Sequence, residues 1–189
     1  IPLKGFKHLL YIANDDEHLE NITRHLLEIF TTLIPSKKVM FMDVDDEYDG
    51  QFDLFARISE PETLEDMANQ LMLELEDRKK GETGHDFIIF IPNLEKFVQA
   101  SGLTGEQVSA LYQEGWKYNM HFVVGSSYSY ISNNAIGSPA RQVKAYNQHY
   151  LLGMRLTDQT ILEKPYNSKE PYLNKDEVYL YGRPSSVKL

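Results

Sequence analysis

The chain has 189 residues, of which 42% are hydrophobic and 25% are charged, the proportions of one ordinary globular domain. It contains no cysteine, which excludes disulfides, zinc–thiolate sites, iron–sulfur sites and thiol nucleophiles. The formal net charge is −9, so we expect no surface for the polyanionic backbone of DNA or RNA, and the expected partner is a protein.

No stretch of the sequence approaches the roughly 20 apolar residues that a membrane-spanning helix needs. Residues 1–5 resemble neither a signal peptide nor a natural start. We therefore expect one domain over residues 1–189, belonging to a longer protein whose membrane anchor, if it has one, lies elsewhere.

The first third of the chain predicts strand, helix and strand in turn. Residues 8–13 form a short apolar run typical of a buried strand. Asn14 is the expected cap of the following helix, with Glu17 as its capping-box partner and Pro35 as its stop. Residues 38–43 predict a second strand, and the acidic stretch 44–55 predicts a loop that includes at most a short extended piece.

A long amphipathic helix is predicted next. Ser59 and Glu62 form a second capping-box pattern, and apolar residues recur at helical spacing from Leu64 to Leu75. The basic turn at 78–80 predicts its end.

The rest of the chain continues the alternation of strands and helices. Strands are predicted at 86–91, 121–125, 150–156 and 177–181, and helices at 94–100, from Thr104 to about Tyr118, and around 141–146. Such alternation predicts an α/β fold with a mostly parallel central sheet between two helical layers. Ligands of such sheets bind at the carboxyl ends of the strands, which places candidate sites at 13–20, 43–50, 92–96 and 125–134.

The junction between the first strand and the first helix lacks the residues that bind phosphate. A phosphate loop needs glycines, a lysine and a hydroxyl in the pattern G-x-x-x-x-G-K-S/T. With Ala13 as the first position, Leu19 falls at the lysine and Glu20 at the hydroxyl. The junction instead carries Asn14 and three successive carboxylates, Asp15, Asp16 and Glu17.

Carboxylates in the first turn of a helix occupy the position where a phosphate would meet the positive end of the helix dipole. They would also repel a triphosphate. The alternative is that this is an ordinary capped helix with no relation to a phosphate loop.

The strand at 87–91 is followed by Pro92, where a magnesium-binding Asp would stand in an active ATPase. Proline offers no metal ligand. Asn93 is expected to be a turn residue, with the alternative that it orients a water molecule.

Several segments together resemble a known family: FIIFIPNLEKF (87–97), ALYQEGWKYNMHFVVGSS (110–127), YLLGMRLTDQT (150–160) and VYLYGRP (178–184). Their order resembles that of FtsK/SpoIIIE-type ATPase modules, which have a RecA-like P-loop NTPase fold. In particular, it is similar to the degenerate C-terminal ATPase module of EssC/YukB-type coupling proteins in the type VII secretion system of Gram-positive bacteria. Each segment is a weak signal alone, and the order carries the resemblance.

This resemblance implies a cytoplasmic module of a membrane-anchored protein with several ATPase modules. Its implied partners are secreted small helical proteins of the WXG type and other ATPase modules of the same chain or oligomer. ATP and Mg²⁺ are implied for the parent protein. Because Leu19, Glu20 and Pro92 depart from active members, we expect no cofactor, no catalytic residue and no metal in this module.

Two other functions remain as alternatives to a module that binds substrates or regulates its neighbours. One is residual ATP binding or hydrolysis completed by a neighbouring subunit. The other is an unrelated doubly wound regulatory domain, suggested by Asp43 at the end of the second strand, although Pro92 stands against a receiver site.

Two further patterns bear on binding. Asp45, Glu47 and Asp49 echo a calcium loop, but Ala56 stands where the bidentate Glu should be, so a solvated acidic loop is favoured. His18 and His25 are expected at the surface or on a helix face.

Tyrosines follow the fourth strand, and tyrosine is enriched at protein interfaces. We therefore predict a partner-binding surface at Tyr128, Tyr130 and Ile131. The alternative is that these side chains pack on the sheet edge.

Overall fold

The structure is a computed structural model, and it describes residues 7–33, 39–48, 56–81, 86–163, 170–182 and 185–188. These residues form eight strands: β1 His8–Ala13, β2 Val39–Met42, β3 Ala56–Ile58, β4 Phe87–Ile91, β5 Met120–Ser127, β6 His149–Gly153, β7 Tyr179–Gly182 and β8 Ser185–Lys188. They also form six helices: α1 Asp16–Leu33, α2 Pro61–Lys79, α3 Leu94–Ser101, α4 Gly105–Glu114, α5 Tyr128–Ile131 and α6 Pro139–Tyr146.

The strands form one sheet in the order β3-β2-β4-β5-β1-β6-β7-β8. Neighbouring strands from β3 to β6 pair in parallel, whereas β7 pairs antiparallel with both β6 and β8. The expected α/β fold with a mostly parallel sheet is therefore confirmed. All six residues of β1 are buried, as expected for a strand covered on both faces.

Helices cover both faces of the sheet. The apolar stripe of α1 packs on the face formed by Leu9, Tyr11 and their neighbours. Helices α2, α3, α4, α5 and α6 contribute buried residues to a larger core on the opposite face. After β1 the chain passes through α1 toward β2, whereas after β5 it passes through α5 and α6 toward β6 on the other side. The adjacent carboxyl ends of β1 and β5 therefore mark a topological switch point, the usual ligand position in this kind of sheet.

The first residues of α1 and α2 differ from those predicted. The residue before α1 is Asp15, not Asn14, and its Oδ1 accepts a hydrogen bond from the backbone N–H of His18 at 2.8 Å. The cap of α2 is Glu60, which makes no side-chain cap hydrogen bond, so the predicted Ser59–Glu62 capping box is wrong. Pro61 occupies the first turn, where its missing N–H costs nothing.

Thr104 does cap α4, in a capping box with Gln107. The helix ends at Glu114, however, and a 3-10 turn continues to Tyr118 because Asn119 adopts a left-handed conformation (φ 62°). The strand predicted at 150–156 is shorter, since β6 ends at Gly153 and residues 156–158 form a 3-10 turn.

Two edge strands, β3 and β8, were not predicted, because each is only three or four residues long. Residues 44–46 of the predicted acidic loop form a 3-10 turn. The rest of that loop at 49–55 and the helix stop at Pro35 lie outside the described residues. Within the described ranges, no helix has both the length and the apolar character needed to cross a membrane.

Candidate functional site at the carboxyl ends of the strands

The four segments singled out by sequence follow β1, β2, β4 and β5, which are near neighbours in the sheet. At its carboxyl end β1 pairs with β5 on one side and with β6 on the other, so that Ala13 lies opposite Ser127 and Gly153. These segments therefore meet at one edge of the sheet, around the switch point.

The first turn of α1 is capped by Asp15. Its side chain accepts the N–H of His18, and its backbone carbonyl accepts the N–H of Leu19 at 3.1 Å. Asn14, Asp16 and Glu17 are exposed beside it. The N–H of His18, a backbone donor that could point at an anion at this helix end, is thus already bonded to the Asp15 carboxylate, whereas the N–H of Leu19 makes the ordinary i→i−4 bond of the helix.

The residues at the lysine and hydroxyl positions of a phosphate loop have other roles. Leu19 is buried and belongs to the core between α1 and the sheet. Glu20 forms an ion pair with Arg24 one turn later, at 2.8 Å. Neither residue supplies a cation or a hydroxyl to the junction.

A segment at 170–178, which we call the strap, lies against the first turn of α1. The Nε2 of His18 is 3.1 Å from the carbonyl oxygen of Glu177, and Lys175 forms an ion pair with Glu17. Glu170 accepts a hydrogen bond from the N–H of Thr157 at 3.0 Å. The strap is thereby tied both to α1 and to the turn after β6.

His18 is 5% exposed, so of its two predicted placements, at the surface or on a helix face, the surface placement is wrong. Its imidazole lies over Gly153 at the end of β6, where an added Cβ would come within 2.9 Å of the ring. The close packing explains why glycine occupies position 153. It also fills the space between the first turn of α1 and β6 with an aromatic ring.

At the end of β4, Pro92 is buried and Asn93 caps α3 by accepting the N–H of Lys96 at 3.2 Å. Beneath them, the hydroxyl of Tyr11 lies 2.7 Å from Thr23 Oγ1 and donates to the Pro92 carbonyl at 3.4 Å. Burial raises the pKa of Tyr11 well above its ordinary value, so the phenol stays protonated. Tyr11 therefore links β1, α1 and β4 below the candidate site.

At the end of β2, Asp43 is completely buried. Its carboxylate accepts hydrogen bonds from Arg57 Nε at 2.8 Å and from the N–H of Glu47 at 3.0 Å. These contacts tie the turn after β2 to strand β3, so Asp43 acts as a structural anion. Burial raises the pKa of the neighbouring Tyr48 to about 12.

The acidic residues that echoed a calcium loop are in contact with a lysine. Lys96 Nζ lies 3.2 Å from Asp45 and also pairs with Glu47. Asp49, the third residue of that pattern, lies outside the described residues.

The predicted partner surface is only partly exposed. Ile131 is fully buried in the larger core, because α5 turns it inward, so its assignment to an exposed surface is wrong. Tyr128 and Tyr130 are half-buried and pack against the same core. Burial raises the pKa of Tyr130, with the nearby carboxylate of Glu95 acting in the same direction.

Sequence reasoning missed His18, Tyr11, Gly125 and the strap. Each of these acts through a residue more than ten positions away, as in the contact between His18 and Glu177. No local pattern signals such a contact. A glycine directly before the Ser126–Ser127 pair was the one visible hint, and its role depends on Tyr11 and Pro92.

No protein-family model matches the chain. The type VII secretion system protein EssC of Staphylococcus aureus (strain MRSA252) is 25% identical over 179 residues, which cover 90% of this chain and 12% of EssC. The chain thus spans a small part of that relative's length.

Solved structures of related modules match the whole chain. They include the cytoplasmic domain of EssC (TM-score 0.75, 15% identity, 38% of that chain) and EssC ATPases 2 and 3 from Geobacillus thermodenitrificans (0.77, 14%, 37%). Thermomonospora curvata EccC (ATPases 2 and 3), solved in complex with a signal sequence peptide, matches with a TM-score of 0.70 at 12% identity and 37% of that chain.

The fold is therefore that of a RecA-like P-loop ATPase domain. The chain is thus similar in sequence to one part of EssC and similar in fold to the ATPase modules of EssC, and these matches support an EssC-type, FtsK/SpoIIIE-like ATPase module.

Proposed function

We propose that this module does not turn over ATP, and that it recognises exported WXG-type proteins or regulates neighbouring ATPase modules. The observation that carries the proposal is the first turn of α1, where the Asp15 carboxylate occupies the backbone N–H of His18. In an active P-loop, N–H groups at this helix end bind phosphate oxygens.

Electrostatics support the same conclusion. Asp15, Asp16 and Glu17 place three carboxylates at this helix end, and Lys175 pairs with one of them, Glu17. Each carboxylate stabilises the helix dipole by roughly 0.3–1 kcal/mol. A triphosphate would have to displace these groups and enter their negative field.

Among the residues that the structure describes, those directly after β4 also offer no magnesium ligand where one is needed. Pro92 follows β4, and Asn93 uses its side-chain oxygen to cap α3. The donor set after β4 thus does not fit a Mg²⁺–nucleotide complex.

Isothermal titration calorimetry with ATP and Mg²⁺ tests this part of the proposal. We expect no saturable heat up to millimolar nucleotide and no phosphate release above background. Micromolar binding would contradict the proposal and favour the alternative of residual nucleotide binding completed by a neighbouring subunit.

A protein partner is supported by the surface beside α5. Tyr128 and Tyr130 are each half-buried, next to the exposed residues 133–137. Partly buried tyrosines suit interfaces because the ring is already held by packing and the hydroxyl end stays polar. The related EccC structure contains a signal sequence peptide, which makes an exported polypeptide the first partner to test.

We expect a purified WXG-type secreted protein to bind this module, and Tyr130→Ala to weaken that binding by about tenfold, a loss typical of an interface anchor. Leu73→Ala is the matched control, because Leu73 is 63% exposed on α2, away from the predicted surface. Fluorescence anisotropy with a labelled partner measures both. Equal affinities of the two variants would show that the surface lies elsewhere.

Within the parent protein we place this module on the cytoplasmic side, joined to further ATPase modules and anchored to the membrane by other parts of the chain. The proposal rests on the EssC relative and on the solved cytoplasmic domain of EssC.

A further inference from the structure

Two cations on α6 lie within 4.0 Å of no carboxylate of the described residues. Most described lysines and arginines of this acidic chain lie within 4.0 Å of an Asp or Glu. Arg141 and Lys144 do not, although they stand three residues apart on one side of the helix. Glu163 is an exposed residue that the structure describes, and its carboxylate lies more than 4.0 Å from the charged groups of both Arg141 and Lys144.

The position of Arg141 does not serve the helix itself. Ser138 is the N-cap of α6, so Arg141 lies in the first turn, near the positive end of the helix dipole. A cation there is mildly destabilising, whereas a carboxylate would be favourable. The first turn of α6 contains no acidic residue. A negative group supplied by a ligand would offset this unfavourable interaction between Arg141 and the helix dipole.

Lys144 is held in place by neutral groups. Its Nζ donates to the backbone carbonyl of Asn133 at 3.0 Å and to Asn134 Oδ1 at 2.6 Å. Partial burial and the neighbouring Arg141 lower the pKa of Lys144. The ammonium is thus partly desolvated and oriented, while its charge remains without compensation.

A small cleft lies beside the two cations. It has a volume of ~240 Å³ and is lined by Ser132, Asn134, Arg141, Lys144 and Thr160, among others. Pockets for drug-sized ligands are about 300–1,000 Å³, so this one suits a single charged group.

Thr160 can contribute a further donor. The hydroxyl of Tyr128 accepts the N–H of Thr160 at 3.1 Å and lies 3.2 Å from Thr160 Oγ1. When the tyrosine donates its proton to Oγ1, the threonine hydroxyl keeps its own proton for a ligand.

We propose that this cleft binds an oxyanion, a phosphate or a carboxylate group, through the guanidinium of Arg141, the ammonium of Lys144 and the hydroxyl of Thr160. The planar fork of Arg141 can take two oxygens, and Lys144 supplies a point charge beside it. The net charge of −9 opposes a long polyanion, so the ligand is a single anionic group. The site is separate from the first turn of α1 and does not depend on the function proposed above.

The test is an NMR titration of the purified, ¹⁵N-labelled protein with sodium phosphate, with sodium acetate, and with sodium chloride at matched ionic strength. We expect saturable shifts of the backbone amides of Ser132, Asn134 and Thr160. Arg141→Gln and Lys144→Gln should each weaken binding by about tenfold, the usual loss of a charge-assisted contact. Lys80→Gln is the matched control, since Lys80 is exposed and already pairs with Asp77.

The two anions distinguish the source of the ligand. Saturation by phosphate alone supports a phosphate-bearing ligand, and saturation by acetate alone supports a carboxylate; either supports the site. The proposal is wrong if neither anion shifts these amides more than chloride does. It is equally wrong if the Arg141 and Lys144 variants bind the anion as well as the Lys80 variant.

Discussion

At the residue scale, single side chains and single glycines hold the candidate site in its present shape. Tyr11 lies under the switch point and bonds to Thr23, and Gly125 lets β5 approach its ring. His8 performs a comparable role at the opposite end of β1. Its Nε2–H donates to the Tyr112 carbonyl at 3.0 Å, and its Nδ1 accepts the N–H of Phe122 at 3.1 Å.

Gly125→Ala is expected to destabilise the fold. The new Cβ would come within 2.1 Å of the Pro92 carbonyl oxygen and 2.4 Å of the Tyr11 ring, and both are fixed by packing. Overpacking of this kind costs about 1–3 kcal/mol or more.

Gly115→Ala is the control, because the nearest atom to its Cβ would be 3.4 Å away and Gly115 has a helical conformation. Urea denaturation followed by circular dichroism measures both free energies of unfolding. Similar midpoints for the two variants would contradict the close approach described at Gly125.

The burial of His8 predicts that the free energy of unfolding depends on pH. Burial lowers the pKa of His8 to about 3, so the folded state keeps this imidazole neutral where the unfolded chain, with an ordinary pKa near 6.5, is protonated. The unfolded state therefore binds more protons between these two values, and stability falls as the pH drops through that window, by up to about 1.4 kcal/mol per pH unit.

Urea denaturation of the wild type and of His8→Gln between pH 4 and pH 7 measures this contribution. We expect the variant to be less stable at pH 7 but to show a shallower pH slope. His25→Gln, on the exposed side of α1, is the control and should keep the slope of the wild type. An unchanged slope in His8→Gln would argue against a neutral, buried imidazole.

At the scale of elements, the ends of the helices decide what the switch point presents. The first turn of α1 carries its own anionic cap at Asp15, and the strap is tied to it through Glu17 and His18. At the end of β2, Arg57 of the edge strand β3 neutralises Asp43. Each connection uses a charged group within the fold.

Asp15→Ala should lower the free energy of unfolding by about 1 kcal/mol, the usual cost of losing an N-cap side chain. Asn14→Ala is expected to change it by less than about 0.5 kcal/mol, because an exposed position without a cap role is usually neutral. Paired denaturation curves at pH 7 compare the two. A larger loss of stability in Asn14→Ala than in Asp15→Ala would instead identify Asn14 as the N-cap, as the capping-box pattern suggested.

At the scale of the whole molecule, charge limits what can bind. A net charge of −9 gives long-range repulsion toward any polyanion, and affinity for duplex DNA requires the neutralisation of several phosphates. Arg141 and Lys144 form a small patch of two positive charges on this otherwise acidic molecule. It is too small for a nucleic-acid surface and large enough for one oxyanion.

We therefore expect no binding of a 30-base-pair duplex at 150 mM salt, measured by fluorescence anisotropy up to ~100 µM protein. Non-specific DNA-binding proteins typically bind with Kd values of about 10⁻⁴–10⁻⁶ M at physiological salt. Micromolar affinity would contradict the expectation of a protein partner.

Much of this architecture was predictable from local sequence. The apolar run at 8–13 predicted β1 with its observed ends, and Thr104 with Gln107 predicted the start of α4. The alternation of strands and helices predicted the parallel sheet and hence the edge where the candidate site lies. These features depend on residues a few positions apart, whose effects on the backbone are local.

Other features depended on residues far apart in the chain. The edge strands β3 and β8 exist because a neighbouring strand supplies hydrogen bonds, and three or four residues carry too little pattern to predict them. Ile131 lies in the core because of how α5 turns after β5, not because of its own flanking residues. The same holds for Asn14 and Asp15, adjacent polar residues of which only one reaches the helix amides.

By itself the sequence determined the fold class, the carboxyl-end location of the candidate site and the absence of phosphate-loop residues at 13–20, since each follows from composition, periodicity or residue identity. Only the tertiary structure decided that His18 lies between Gly153 and Glu177, that Tyr11 supports the switch point, and that Arg141 and Lys144 share a cleft with Thr160. The physical reason is that burial, hydrogen bonding and charge compensation are properties of neighbours in space, and the chain brings those neighbours together only when the sheet has formed.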